Sequence, residues 1–258
     1  MSDEPVTRLP WERLRTLTSA RIALGRSGSS LPTAEVLAFE LAHARAKDAV
    51  HAPLDAAQFG SELESLTGLE VLHVRSQAET PAIYLTRPDL GRLLQPDDAP
   101  VLVAQAGAFD VSITVAAGLS AIAVIQHAFP LLQELLSLLD GYTLAPVVVA
   151  ERARVALADR IGDGLGASLS LILIGERPGL STPESLGAYV TFGPRPGRLD
   201  AERNCVSNIH SGGLSYRAAA HQIALLIREA LRQAQTGVGL KVEGGLESPL
   251  ESSAALPD

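Results

Sequence analysis

Two stretches of this sequence concentrate side chains that could do chemistry. In Gly175 to Gly187 (GERPGLSTPESLG) a glutamate directly follows the apolar run Ser168 to Ile174 (SLSLILI), and Pro178 and Gly179 force the chain to turn. A carboxylate leaving a rigid strand can accept hydrogen bonds from a ligand, and Glu176 is so placed; the same position also suits a helix cap or a surface ion pair. The second stretch, Arg198 to Leu214 (RLDAERNCVSNIHSGGL), gathers Asp200, Glu202, Arg203, Asn204, Cys205, Asn208 and His210 in an irregular polar pattern that predicts a binding loop. Cys205 with His210 close behind raises the question of a thiolate nucleophile, but spacing alone puts no base within reach, and a buried structural thiol fits as well. Gly25 to Ser30 (GRSGSS) offers free amides to an anion ahead of a helix, or is a plain connecting loop. His43, His51, His73, His127 and His221 do not pair at metal-ligand spacing, so no protein-bound metal is expected.

Composition narrows what these groups can serve. At 258 residues, with 47% hydrophobic and 19% charged residues, the chain has material for a sizeable core and is not disordered. Lys and Arg number 21 against 29 Asp and Glu, and the net charge of −8 argues against a phosphate-backbone binder, so no nucleic-acid partner is expected. A single cysteine excludes an intramolecular disulfide and suits a reducing compartment. The amino terminus, MSDEPVTRLPWERLRTL, has acids and a proline where an export signal needs an apolar run, which makes the cytoplasm the default. Val111 to Gln133 is charge-free and long enough to span a bilayer, yet Gly118, Ser120 and Pro130 interrupt it, so strand, turn and buried helix is the reading, with no membrane partner.

The elements that must position the two stretches follow from periodicity. Ala34 to Val50 reads as a helix with Thr33 as its N-cap. From about residue 68 the rhythm becomes strand then helix: Leu69 to Arg75 and Ala82 to Thr86 are short apolar runs, and Pro88 to Leu94 is a helical turn. Phe109 to Ala116 is a strand, Leu119 to Leu139 a long helix, Pro146 to Ala150 a buried strand and Val155 to Leu165 a helix. Ser168 to Ile174 and Ala188 to Phe192 are strands, and Ser215 to Gln235 is the closing helix. Such alternation predicts an α/β fold, a Rossmann-like, mostly parallel sheet with ligands at the carboxyl ends of its strands. Residues 1–66 form a helical N-terminal segment, 67–236 the main domain, and 237–258 a frayed, flexible tail.

Taken together, the segments resemble the small (light) subunit family of ethanolamine ammonia-lyase. The resemblance runs through TSARIALGRSGSSLPTAEVLAFELAHARAKDAVH (Thr18 to His51), IYLTRPDLGRLL, GLSAIAVIQHAFPLL, RVALADRIGDGLGASLSLILIGERPGLSTPESLGAYVTFGPRPGR and DAERNCVSNIHSGGLSYRAAA. Two departures stand out: the family commonly has an Asp just before GLSA, where this chain has Ala117, and an Arg where His210 stands. The resemblance implies a domain that holds one side of adenosylcobalamin at the interface with a larger subunit bearing the ethanolamine site. Carried over residue by residue, it implies cofactor contacts at Val155, Glu176 and Cys205 and no catalytic residue on this chain. It also implies a cytoplasmic hetero-oligomer, with a bacterial microcompartment as the narrower setting. Asn208-Ile209-His210-Ser211-Gly212-Gly213 nearly matches the Asp-x-His-x-x-Gly signature of proteins that ligate cobalt through histidine, but the Asp is absent and the motif sits before the last helix. Two other classes remain: a dinucleotide oxidoreductase, for which no Gly-x-Gly-x-x-Gly turn follows a strand, and a non-catalytic scaffold or shell-associated protein that binds the large subunit.

Overall fold

In the computed structural model, residues 6–242 are described except Arg8 and Ser19. Strands β1 (Val71–Arg75), β2 (Phe109–Ala116), β3 (Val147–Glu151) and β4 (Ala167–Gly175) are parallel, while β5 (Leu186–Phe192) and β6 (Asn204–Ile209) continue the sheet antiparallel. The order is β1-β3-β2-β4-β5-β6. The fold is thus α/β with a mostly parallel sheet and a helical N-terminal segment. Strands β2, β3 and β4 are nearly continuous runs of buried Val, Leu, Ile and Ala, as strands covered on both faces must be. β5 is antiparallel because ten residues, 176–185, join it to β4 without a helix, which is too little chain for a parallel crossover.

Among the described residues seven α-helices surround the sheet: α1 (Thr33–His51), α2 (Ala56–Thr67), α3 (Pro81–Thr86), α4 (Ala99–Ala104), α5 (Ala121–Leu138), α6 (Leu157–Leu165) and α7 (Tyr216–Gln233). On one face Phe59 and Leu63 of α2, Leu131 and Leu135 of α5, and Ile223 and Ile227 of α7 pack against Val111, Ile113 and Val115. On the other, Leu102 of α4 and Leu157, Ile161 and Leu165 of α6 pack against Val148, Ile172 and Ile174. α5 is the one helix among the described residues long and apolar enough to cross a membrane, and its Val124, Ala128, Leu131 and Leu132 are wholly buried against the sheet. α1 differs: only Ala46 and Ala49 are buried, while Leu37, Phe39 and Leu41 stay exposed.

Four expectations need correction. Thr33 is the first residue of α1 rather than its cap: Pro32, with φ −59° and ψ 140°, occupies that position with no side-chain cap bond. The run Ala82 to Thr86 is helical because Thr80 caps it, accepting from the Ile83 N–H at 3.2 Å, and Pro81 opens it, a start signal that outweighs the apolar run. The stretch expected as an irregular loop contains β6, an edge strand whose Val206 and Ile209 face the core while Cys205, Ser207 and Asn208 are exposed. The start of the expected frayed tail is packed: Gly237 is buried, and Leu240 and Val242 lie against the core. Residues 243–258 lie outside the described residues.

Candidate functional site

The end of β4 is clamped backbone to backbone. A Cβ on Gly175 would lie 2.1 Å from the Ser120 carbonyl oxygen and 2.4 Å from that of Ala117, so the turn after β2 presses directly on it. The Leu119 N–H donates to the Gly175 carbonyl at 3.1 Å, and the Ser120 hydroxyl donates to the Pro183 carbonyl at 3.0 Å. Glu176 leaves this clamp with its N–H bonded to the Ser185 carbonyl at 2.9 Å. Its carboxylate accepts the Ser185 hydroxyl at 2.5 Å and lies near the Asn208 N–H at 3.5 Å. It is half-buried, makes no ion pair among the described residues and caps no helix.

Strand alternation puts Glu176 on the α6 side of the sheet, two residues beyond Ile174. Ile174 pairs with Gly187, Ile172 pairs with Tyr189, and Tyr189 pairs with Cys205 across β5 and β6, so Tyr189 and Cys205 share that side. There a cleft of about 340 Å³ is lined by Arg92, Arg154, Val155, Tyr189, Asp200 and Cys205 among others. Val155 reaches it from the turn between β3 and α6 and packs partly on the core beneath. Val155 and Cys205 therefore line one cleft, and the Glu176 carboxylate is close enough to act on the Cys205 thiol and the Tyr189 hydroxyl.

The cleft floor holds its protons. Desolvation pushes the Cys205 thiol above the ordinary range and the Glu176 charge adds to this, while a hydrogen bond with Tyr189 opposes it. Cys205 is exposed as a residue, so the buried structural thiol is not what the structure shows. Burial likewise raises the Tyr189 hydroxyl, helped by its hydrogen bond with Cys205 and by the Glu176 charge.

Arg154 and Asp159, which sequence reasoning did not single out, and Arg203, which it placed only within the polar stretch, build the walls. Arg203 precedes β6 and is buried; it donates to Asp159 of α6 at 2.6 Å, to the Thr191 hydroxyl at 3.1 Å and to the Arg198 carbonyl at 2.9 Å. Burial raises the Asp159 carboxyl despite this partner. The pair ties the start of β6 to α6, which fixes the distance between Cys205 and Val155. Arg154 is held from below by Tyr84, whose ring lies 4.3 Å from the guanidinium and whose carbonyl accepts from Nη2 at 3.0 Å. Nothing in the sequence links these residues; the only available signal was the position of Arg154 beside Val155.

The other candidates resolve differently. In the 25–30 loop Ser27 and Ser30 exchange backbone hydrogen bonds at 2.9 and 3.1 Å, spending amides that an anion would need. Both ring nitrogens of His210 are engaged, Nε2 with Asn208 Oδ1 at 2.9 Å and Nδ1 as acceptor of the Gly212 N–H at 3.2 Å. A larger hollow of about 680 Å³ between α1 and the 180–184 loop is lined by none of Val155, Glu176 and Cys205.

Comparison with known proteins places this chain in a family. The model of the ethanolamine ammonia-lyase light chain matches residues 8–241. An ethanolamine ammonia-lyase small subunit of Azotobacter vinelandii is 54% identical over 250 residues, covering 94% of this chain and 92% of that one. Its counterpart from Bradyrhizobium diazoefficiens is 52% identical over 262 residues, covering both chains fully, and one from Pseudomonas syringae pv. tomato is 48% identical over 266 residues.

Proposed function

This chain belongs to the ethanolamine ammonia-lyase light-chain family, and from that premise we propose that it holds one side of adenosylcobalamin at the interface with a large subunit that carries the ethanolamine site. The observation that supports the reading is that Val155, Glu176 and Cys205, far apart in sequence, meet on one open side of the sheet. The donor set suits a corrin. Its peripheral amides donate hydrogen bonds that Glu176 can accept, and its apolar rim can pack on Val155 and the neutral Cys205 thiol. When bound, the cofactor supplies the radical chemistry that turns ethanolamine into acetaldehyde and ammonia. This chain's residues bind and shield: Tyr189 and Cys205 keep their protons at neutral pH and Glu176 is tied to Ser185, so none is poised as a base. In this reading residues 67–236 form a Rossmann-like cobalamin domain, 1–66 a helical segment and 237–258 a tail, and the complex works in the cytoplasm or inside a bacterial microcompartment.

A two-chain enzyme also accounts for α1. Leu37 (59% exposed), Phe39 and Leu41, together with Trp11 and Leu17 before it, leave large apolar side chains exposed on the N-terminal segment, which a second chain would cover. The test is assembly. The chain alone, given adenosylcobalamin and ethanolamine, should release no ammonia above background, and with the large subunit it should. Glu176→Gln in the complex should weaken cobalamin retention more than folding. Turnover by the isolated chain would overturn the reading, and a complex that retains cobalamin equally with either residue would make Glu176 structural and favour the scaffold role.

A further inference from the structure

Two arginines of the cleft are not accounted for by a corrin rim. Arg154 is a built-in group: its N–H bonds the Gly91 carbonyl at 2.8 Å, its guanidinium stacks on the buried Tyr84, and a Cβ on Gly91 would come within 2.8 Å of its Cγ. Its Nε has no hydrogen-bond partner but is covered by protein, so the donors it can offer a ligand are on the terminal nitrogens, one of which also bonds the Tyr84 carbonyl at 3.0 Å. Arg92 follows Gly91 and lines the same cleft. Among the described residues neither has a carboxylate partner, whereas the neighbouring Arg152 pairs with Glu151, and Arg203 with Asp159 and Asp200. In a chain of net charge −8, two guanidiniums left without acids are an unspent positive site. α6 begins at the same place, but its first amides are already used, Leu157 N–H on the Arg154 carbonyl at 2.9 Å and Ala158 N–H on the Val155 carbonyl at 3.1 Å, so the two side chains are the donors left to the cleft.

We propose that Arg92 and Arg154 form an anion subsite for the phosphodiester of the cobalamin nucleotide tail. This rests on the cobalamin reading of the cleft. The amides around a corrin are neutral, and the phosphodiester is the one permanent anion the molecule carries, so it is the group that unpaired guanidiniums select. The cleft is then polarised, with Glu176 accepting from amides and the arginine pair donating to phosphate oxygens.

The test is equilibrium dialysis of the two-subunit complex against cyanocobalamin and against dicyanocobinamide, which ends before the phosphate, read by corrin absorbance. Arg92→Gln is the first variant, since Arg92 is exposed; Arg154→Lys, which retains a charge without the fork, is the second. Arg92→Gln should weaken cobalamin binding about tenfold, the effect of losing one charge-assisted bond, leave cobinamide unchanged and lose its effect in high salt. Glu176→Gln, run alongside, should weaken both corrins alike. Equal losses of cobalamin and cobinamide in the arginine variants, or no loss of either, would overturn the subsite while leaving the cobalamin reading intact. A parent complex that retains neither corrin would overturn both.

Discussion

Gly187→Ala tests the position of Glu176 without altering its charge. Gly187 is buried in β5 opposite Ile174, and its φ is not positive, so an alanine meets no backbone penalty. The added methyl would lie 2.8 Å from Glu176 Oε1, 3.2 Å from its Cγ and 3.2 Å from Tyr189 Cε2. The tightest contact is the end of a flexible side chain, so the clash is relieved by the carboxylate swinging away and giving up the Ser185 hydroxyl. Overpacking costs about 1–3 kcal/mol, and the better strand propensity of alanine returns about 0.5–1 kcal/mol, for a net folding cost of about 0–2.5 kcal/mol. Binding suffers more in proportion. A bond to a charged acceptor is worth about 1.5–3 kcal/mol, so cobalamin retention should fall at least about tenfold. Urea unfolding of the chain and equilibrium dialysis of the complex measure the two effects. An alanine variant that folds with parental stability and holds cobalamin as tightly as the parent would refute the placement of Glu176 against Gly187.

Three further outcomes are expected. Arg203→Met leaves Asp159, whose side chain is 2% exposed, without its counter-charge and should cost about 3–5 kcal/mol in urea unfolding at neutral pH. Because burial raises the Asp159 carboxyl in the folded chain, the loss should shrink as pH falls below that raised value, where the group is neutral, and a pH-independent loss would contradict the assignment. Alkylation of Cys205 by iodoacetamide in the isolated chain should have its midpoint above the ordinary thiol value of about 8.5, and Glu176→Gln should move it down; reaction at neutral pH as fast as a free cysteine would refute the desolvated sulfur. In the cob(II)alamin state the axial nitrogen splitting should not respond to nitrogen-15 labelling of the protein, because His210 already uses both ring nitrogens; a splitting that follows the label would make it the lower ligand.

The sequence was most legible where one physical signal acts alone. β2, β3 and β4 are apolar along their length because both faces are covered, and such runs admit few other readings. β6 was missed because half of it faces outward and a register shift between Leu186 and Ala188 breaks the pairing, so its polar residues resemble a loop. α3 was obscured by a five-residue apolar run whose state is decided by Thr80 and Pro81 outside it. At the site, Glu176 was visible from chemistry, as a carboxylate at a strand end, while Val155 and Cys205 came from family resemblance. Arg154 was marked only by its place beside Val155 and Arg203 only by the polar stretch that holds it; their partners lie 70 and 44 residues away, and only the folded sheet brings them together.

The location of the cleft follows from uneven helix cover. α7 lies against β4, β5 and β6 on one face, so the inward side chains Leu186, Ala188, Val190, Val206 and Ile209 are buried. On the opposite face α6 is half as long, nine residues against eighteen, and packs mainly on β2 and β4. It ends where Gly166 turns left-handed at φ +73°, with the Gly107 carbonyl so close that a Cβ would meet it at 2.5 Å. The α6 side of β5 and β6 is thus left with Tyr189, Cys205 and Ser207 partly or fully open. An uncovered sheet face normally turns polar and meets water. Here the floor carries Tyr189 and Cys205, whose protons desolvation holds, beside the Glu176 carboxylate, so the side that α6 leaves open is the side on which the candidate contacts meet.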